Sequence, residues 1–327
     1  MVTRTTTRAN CPWKGRTTDM GDDDGRKVRC FYHSADLDGK CSAAIVLHAH
    51  PDATLHPINY GDPFPWALFN LGPEGPPGKR KRDLVYMVDF ALQPWSDMER
   101  LARMVDLNWI DHHETAIADF NRQNRGPDGS RVKRHADNRV GHGACFLVWE
   151  HLFPDEDVPE AVRLISKWDV WDHDEPAVVH FQYGMQGVDN DPDARIWVDL
   201  LDVTDPISEA RVFVTEQRGK TIWQYEQRQN AQRIKALRFD TELSGMRCLA
   251  ANVGLVSSKL FDSVWDPRAY DCMLTFHHRK GCWNVSLYSD KPSVHCGRVA
   301  KQYGGGGHKG AAGFQCDALP FDLPIRG

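Results

Sequence analysis

Val28-Arg29-Cys30-Phe31-Tyr32-His33-Ser34-Ala35-Asp36-Leu37-Asp38-Gly39 runs from β-forming residues straight into a loop dense in imidazole and carboxylate. The run over 28–32 predicts a strand, and a parallel strand delivers its next residues to the carboxyl edge of the sheet, where open α/β folds place ligands. Downstream, 39–50 predicts a helix through apolar Ala43, Ala44, Val46 and Leu47, and 54–58 predicts a second strand. Together they make a βαβ unit feeding a parallel sheet. Leu107-Asn108-Trp109-Ile110 is a similar strand and ends in Asp111-His112-His113, while the buried run 84–88 ends in Asp89. A helix over 93–104 links these two strands. Acidic and imidazole groups packed this closely need compensating charge or donors, and a cation is the simplest compensation.

Further out the chain changes character. Residues 1–26, rich in Thr, Arg, Gly and Asp, predict a disordered tail, with Asp22-Asp23-Asp24 as part of its solvated charge. The Pro- and Gly-rich stretch 61–83, ending in Lys79-Arg80-Lys81-Arg82, predicts a loop rather than core, and 121–141 predicts a surface loop carrying Arg131, Lys133 and Arg134. Helices follow at 142–151 and 158–168, the second running into the acidic and aromatic knot Lys167-Trp168-Asp169-Val170-Trp171-Asp172-His173-Asp174. Trp168 and Trp171 read as core. Asp169, set among apolar neighbours, reads as an inward carboxylate in need of a partner. A mostly polar helical pattern over 206–240 predicts a connecting helix. Strand-like runs over 246–251, 270–277 and 282–288, with a turn at Arg279-Lys280-Gly281 and a helix near 294–302, predict a second, smaller α/β domain.

With 327 residues the chain can bury a sizeable core unaided. Lys and Arg number 40 against 45 Asp and Glu, and the net charge of -5 excludes a nonspecific DNA coat while allowing a local basic groove. No run of about 18 apolar residues predicts a membrane span, and no apolar segment near Met1 predicts a secretion signal, so the expected compartment is the cytoplasm. The nine cysteines contain no C-x-x-C pair. They read as buried thiols in a reducing environment rather than as a disulfide framework or a structural zinc site.

In a His-x-x-Asp-x-Asp loop, Asp36 and Asp38 can face one cavity with His33 reaching in from the strand end. Asp89 is then placed to bridge two cations, and His112 with Asp169 completes the second. Oxygen and nitrogen donors without thiolate suit manganese, with magnesium, cobalt or iron as alternatives. Two cations about 3.5 to 4 Å apart clamp an in-line displacement at phosphorus, which makes phosphoester hydrolysis the natural reaction. A second signal is Tyr303-Gly304-Gly305-Gly306-Gly307-His308-Lys309-Gly310-Ala311-Ala312-Gly313-Phe314. Consecutive glycines can expose backbone N–H groups as an anion nest, to which His308 and Lys309 add donors.

These segments resemble the DHH phosphoesterase superfamily with its DHH-associated C-terminal domain. Asp111-His112-His113 is the naming motif, 33–39 resembles the first motif, Val88-Asp89-Phe90 the second and Lys167-Trp168-Asp169 with Trp171 the fourth. The stretch 305–314 is similar to the C-terminal GGGH-x-x-AAGF signature. The resemblance covers roughly residues 27–316. It implies an α/β chain: a parallel-sheet catalytic domain over 27–205, the connecting helix over 206–240, a substrate-binding domain over 241–327, and an active site in the cleft between the domains. It further implies that His33, Asp36 and Asp89 hold one metal, that Asp38, Asp89, His112 and Asp169 hold the other, and that Asp172 is an alternative to Asp169. His113 would contact the scissile phosphate, with Asp111 orienting an imidazole. Gly305, Gly306, Gly307 and His308 would hold the far phosphate or terminal nucleotide. Many relatives carry Arg in an S-x-R-S strand where this chain has Ser286-Leu287-Tyr288-Ser289, so Tyr288 would contact substrate in its place.

The branch nearest in appearance is the oligoribonuclease, or cyclic-nucleotide phosphodiesterase, branch. The expected enzyme hydrolyses short single-stranded RNA or DNA oligonucleotides, or dinucleotides, to 5′ mononucleotides with a hydroxide activated by two divalent ions, Mn²⁺ foremost and Mg²⁺ or Co²⁺ as alternatives. Rival activities are a 3′-phosphoadenosine 5′-phosphate phosphatase, a cyclic dinucleotide phosphodiesterase and a single-strand exonuclease. A catalytically silent nucleotide sensor is the non-enzyme alternative. No membrane partner is expected, and a homodimer is plausible by analogy.

Overall fold

The computed structural model describes residues 26–69, 82–123, 132–134 and 139–324. The disordered tail expected over 1–26, the Asp22–Asp24 triplet, Arg131 and all but Arg82 of the basic run at 79–82 lie outside the described residues, save that Arg26 is included. Two compact units divide between Lys220 and Thr221.

In the first unit the chain runs β1 (Val28–His33), α1 (Leu37–Ala49), β2 (Thr54–Ile58), β3 (Leu84–Val88), α2 (Trp95–Met104), β4 (Asp106–Ile110), α3 (Glu114–Gln123) and β5 (Lys133–Arg134). Then come α4 (Ala144–Leu152), α5 (Glu160–Asp169), α6 (Pro176–Gln186), α7 (Ile196–Leu200) and the long α8 (Ile207–Leu237). The strands form one sheet in the order β2-β1-β3-β4-β5, every pairing parallel. Side chains alternate between its faces, as strand geometry requires. Cys30, Tyr32, Tyr86, Val88 and Ile110 pack into one core with residues of α1, α4 and α5, whereas Phe31, Val85, Met87, Leu107 and Trp109 pack into the other with residues of α2 and α3. Burial on both faces is why these strands read as unbroken apolar runs. In this strand order the chain reverses direction across the sheet between β1 and β3, so the carboxyl ends of those two strands border the crevice where open α/β sheets bind ligands.

Three expectations need correction. The stretch 61–83 is not all loop: Phe69 is buried, Phe64 and Trp66 pack on the same core, and the Phe31 and Phe64 ring centroids lie 4.9 Å apart. Over 64–69 the aromatic residues outweigh the neighbouring Pro63 and Pro65, and 70–81 lie outside the described residues. The stretch 121–141 is likewise not a continuous surface loop, because α3 extends to Gln123 and Lys133–Arg134 pairs with β4 as an edge strand. The connecting helix stops at Leu237 rather than at 240, and Arg238 opens a strand directly. The two-residue alternation of Phe239, Thr241 and Leu243 toward the protein takes over there from the helical period.

The second unit comprises the end of α8 and a six-stranded sheet of order β10-β11-β9-β8-β7-β6. Its elements are β6 (Arg238–Leu243), β7 (Met246–Asn252), β8 (Cys272–Arg279), β9 (Cys282–Tyr288), α9 (Cys296–Gln302), β10 (Gly306–Gly307) and β11 (Ala311–Cys316). Lys280 and Gly281, both with positive φ, make the tight turn between β8 and β9 that a two-residue hairpin demands. Among the described residues every cysteine is a free thiol, and no helix is long and apolar enough to cross a membrane.

Candidate metal centre

The motif residues of the first unit arrive from strand ends and helix ends. His33 is the last residue of β1. Asp36 caps α1, its carboxylate accepting from Gly39 N at 3.0 Å, as an N-cap side chain does. Gly39 is required by this sharp entry: a Cβ there would lie 1.9 Å from the His33 carbonyl oxygen. Asp38, in the first turn of α1, is buried and accepts from Ala144 N at 2.6 Å and Cys145 N at 2.8 Å, so it caps α4 from a distant segment. Gly143 permits that approach, since a Cβ would meet Ser166 at 2.9 Å and the Asp38 carboxylate at 3.0 Å, and its N–H donates to Ser166 Oγ.

Asp89 follows β3 with φ of 53°, a left-handed conformation unusual for a residue other than glycine. Its N–H donates to Ile110 O, and Trp109 Nε1 donates to Phe90 O at 3.1 Å, which fixes the loop that carries it. Asp111 is fully buried beyond β4. One of its oxygens accepts from His112 N at 2.8 Å, from His113 N at 3.2 Å, and lies 2.6 Å from His113 Nδ1.

These side chains converge on Asp89. One Asp89 oxygen is 3.6 Å from His33 Nδ1, which is itself 2.7 Å from Asp36; the other is 3.5 Å from His112 Nε2. His112 Nε2 is also 3.1 Å from Asp169 and 3.8 Å from Asp38. Donor atoms of His33, Asp36 and Asp89 lie within 4.8 Å of one another, as do those of Asp38, Asp89 and His112, and those of Asp89, Asp111 and His113. The fold thus makes Asp89 common to three donor sets. The segment Asp111-His112-His113 supplies an imidazole to two of these sets, and the loop 33–39 supplies donors to two. Asp169 meets His112, whereas Asp172 pairs with Lys167 at 3.0 Å.

Electrostatics favour a cation here. Burial and the neighbouring Asp89 push Asp36 up to about 6, and burial with Asp89 and Asp169 pushes Asp38 well above the usual carboxylate range. Burial works to raise Asp89 as well, but the imidazoles of His112 and His33 outweigh it and hold Asp89 below the ordinary range. Burial would lower the imidazoles, yet carboxylates win: Asp36 and Asp89 bring His33 to about 10, Asp169 and Asp89 raise His112, and Asp111 brings His113 to about 9. Without a cation the cluster therefore gathers protons, the charge a divalent ion would displace. One Asp89 oxygen is buried without a hydrogen-bond partner, a cost that metal ligation would remove. Oxygen and imidazole donors without thiolate match Mn²⁺ or Mg²⁺.

In the second unit the glycine segment is built for close approach. Gly304 N and Gly305 N donate to Lys301 O and Ala300 O at the end of α9, and His308 N donates to Ala311 O at 2.7 Å. Gly306 and Gly307 pair with Gly313 and Ala312 of β11. A Cβ on Gly305 would lie 2.1 Å from Gly313 O, while one on Gly306 would meet open space. Two of the N–H groups expected in an anion nest thus close the helix instead. Tyr288 is half-buried, packs beside Leu249 and Met273, and donates its hydroxyl to Val256 O at 3.1 Å. Gly143, Ser166 and Tyr60, which sequence reasoning passed over, support or border the first-unit cluster. Only the Gly141-His142-Gly143 pairing of glycines hinted at the first.

No family model matches the sequence, and no curated protein does. Among solved structures the chain is similar to a pGpG-specific phosphodiesterase, PggH, from Vibrio cholerae (14% identity, 89% of this chain and 93% of that one, TM-score 0.44). It is similar also to an exopolyphosphatase-related protein from Bacteroides fragilis (13%, 90% and 88%, 0.41), and to RecJ in complex with Mn²⁺ from Thermus thermophilus (13%, 89% and 49%, 0.41).

Proposed function

We propose that the protein is a metal-dependent phosphodiesterase that hydrolyses short oligonucleotides or dinucleotides to 5′ mononucleotides. The observation that supports it most is the sharing of Asp89 between donor sets from β1, α1 and the segment after β4, at the edge where open α/β sheets bind ligands. His33, Asp36 and Asp89 would hold one divalent ion, and Asp38, Asp89, His112 and Asp169 a second, with manganese the first candidate. Bound there, such ions supply Lewis acidity and activate water for attack on phosphorus.

The chain's own groups do the positioning. Asp111 holds His113 through Nδ1, so Nε2 is the atom that would donate to a phosphate oxygen. Asp111 raises the His113 imidazole above its ordinary value despite burial, and an imidazolium donor would suit the charge growing on that oxygen. Asp38 ties the cluster to the start of α4, fixing its geometry before substrate arrives. In the second unit, Gly305, Gly306, Gly307, His308 and Tyr288 belong to the same proposal as the nucleotide-holding residues.

Incubating the protein with 5′-labelled pApA and Mn²⁺ tests the assignment. Release of AMP, abolished by chelator and restored by Mn²⁺, is the expected result. Intact dinucleotide under every divalent ion would remove it. A panel with cyclic dinucleotides, 3′-phosphoadenosine 5′-phosphate and longer single strands separates the rival substrates by product.

A further inference from the structure

Tyr60, on the turn after β2, belongs to none of the sequence motifs. Its side chain is 50% exposed although it lies in an aromatic cluster. The ring centroid is 4.7 Å from that of buried Phe90, 5.8 Å from His33 and 6.3 Å, edge-on, from His113. A tyrosine is thus presented to solvent beside an imidazole of one donor set and the proposed phosphate donor. The turn that carries it is pinned to the metal loop. Ser34 N donates to Ile58 O at 3.2 Å, Ser34 Oγ donates to Asn59 Oδ1 at 3.2 Å, and Asn59 Nδ2 donates back to Ser34 Oγ at 3.0 Å. Asn59 and Asp62 close the turn on each other, with Gly61 at φ of 92° completing it. The ring is therefore held in place without substrate, and its stacking face loses little freedom on contact.

We propose that Tyr60 is a specificity residue: its ring stacks on a nucleobase of the substrate whose phosphate occupies the metal centre. This rests on the phosphodiesterase proposal and adds what the donor sets cannot supply, since carboxylates and imidazoles bind inorganic and nucleotide phosphates alike. A π face rewards a base of any sequence and offers nothing to pyrophosphate or polyphosphate. Tyr60 accordingly selects nucleotides without selecting among bases.

The test compares kcat and KM for pApA and for its abasic analogue, with Mn²⁺, in wild type, Tyr60→Ala and Tyr60→Phe. In Tyr60→Ala the preference for pApA, as a ratio of kcat/KM values, falls about 5- to 100-fold, chiefly through KM; in Tyr60→Phe it is kept. A preference unchanged in Tyr60→Ala, whatever happens to overall rate, overturns the proposal. Should wild type cleave neither compound, the phosphodiesterase proposal fails separately. Binding to the Mn²⁺-loaded wild type then decides the matter for Tyr60. Tighter binding of AMP than of ribose 5-phosphate supports stacking, provided Tyr60→Ala removes the difference, and equal affinities exclude it.

Discussion

At Asp89 backbone and side chain are both under constraint. Left-handed φ costs an ordinary residue on the order of 1 to 3 kcal/mol, and the carboxylate is buried among other carboxylates. Asn tolerates this backbone nearly as well as any residue with a side chain, so Asp89→Asn isolates the charge. Activity with Mn²⁺ is expected to drop on the order of 100-fold or more, with the circular dichroism spectrum retained and metal-free melting lowered through loss of the charge facing His33 and His112. Gly39→Ala should do the reverse. Its Cβ would collide with the His33 carbonyl, so it is expected to lower stability in denaturant by about 1 to 3 kcal/mol and to weaken metal binding through displacement of His33. Asp89 was legible in the sequence because a strand ending in Asp is a local pattern, whereas the approach of Gly39 to the His33 carbonyl appears only in three dimensions. Nor was Tyr60 legible, because its neighbours His33, Phe90 and His113 come from three separate segments.

Among the elements, α1 and α4 are joined by Asp38. Removing its carboxylate leaves Ala144 N and Cys145 N buried without acceptors, at about 1 to 3 kcal/mol for each group. Asp38→Ala should therefore lower the urea midpoint even in chelator, whereas Asp36→Ala, at a partly exposed cap, should cost only about 1 kcal/mol. Similar losses for the two would contradict the capping role. The strands were readable because burial on both faces leaves unbroken apolar runs. Helices α3, α6 and α7 and strands β5 and β6 were not, because their signals are short or mixed and are settled by pairing with neighbours, as in the register of Arg238–Leu243 on β7. The acidic knot at the end of α5 left Asp169 and Asp172 as alternatives; Asp169 lies beside His112, and Asp172 pairs with Lys167.

For the whole molecule the cluster predicts a pH signature. His33 and His113 have folded values of about 10 and 9 against an ordinary 6.5. Their contribution to metal-free stability is thus full below about pH 6.5 and is lost progressively as pH rises to 9 and 10. Metal-free melting temperature should decline across that window, and Mn²⁺ should flatten the decline by replacing the protons. At pH 7.5, calorimetry in buffers of different ionisation enthalpy should register proton release on Mn²⁺ binding, with affinity increasing toward alkaline pH. Saturation at about 100 times Kd should add about 2.7 kcal/mol of stability, a gain absent from Asp89→Asn. No proton release would mean that the ion binds elsewhere.

The bonds from Asp38 to the start of α4 span 106 and 107 residues. Contacts so distant along the chain form late, after the intervening strands have paired. A ribosome-bound chain therefore carries the His33 loop and Asp89 for a long stretch of synthesis before Asp38 finds its helix and Asp169 emerges. Ion capture during synthesis is expected to wait for α5, so the N-terminal half alone, though it holds both halves of the aspartate-histidine pattern, should be a poor trap for manganese.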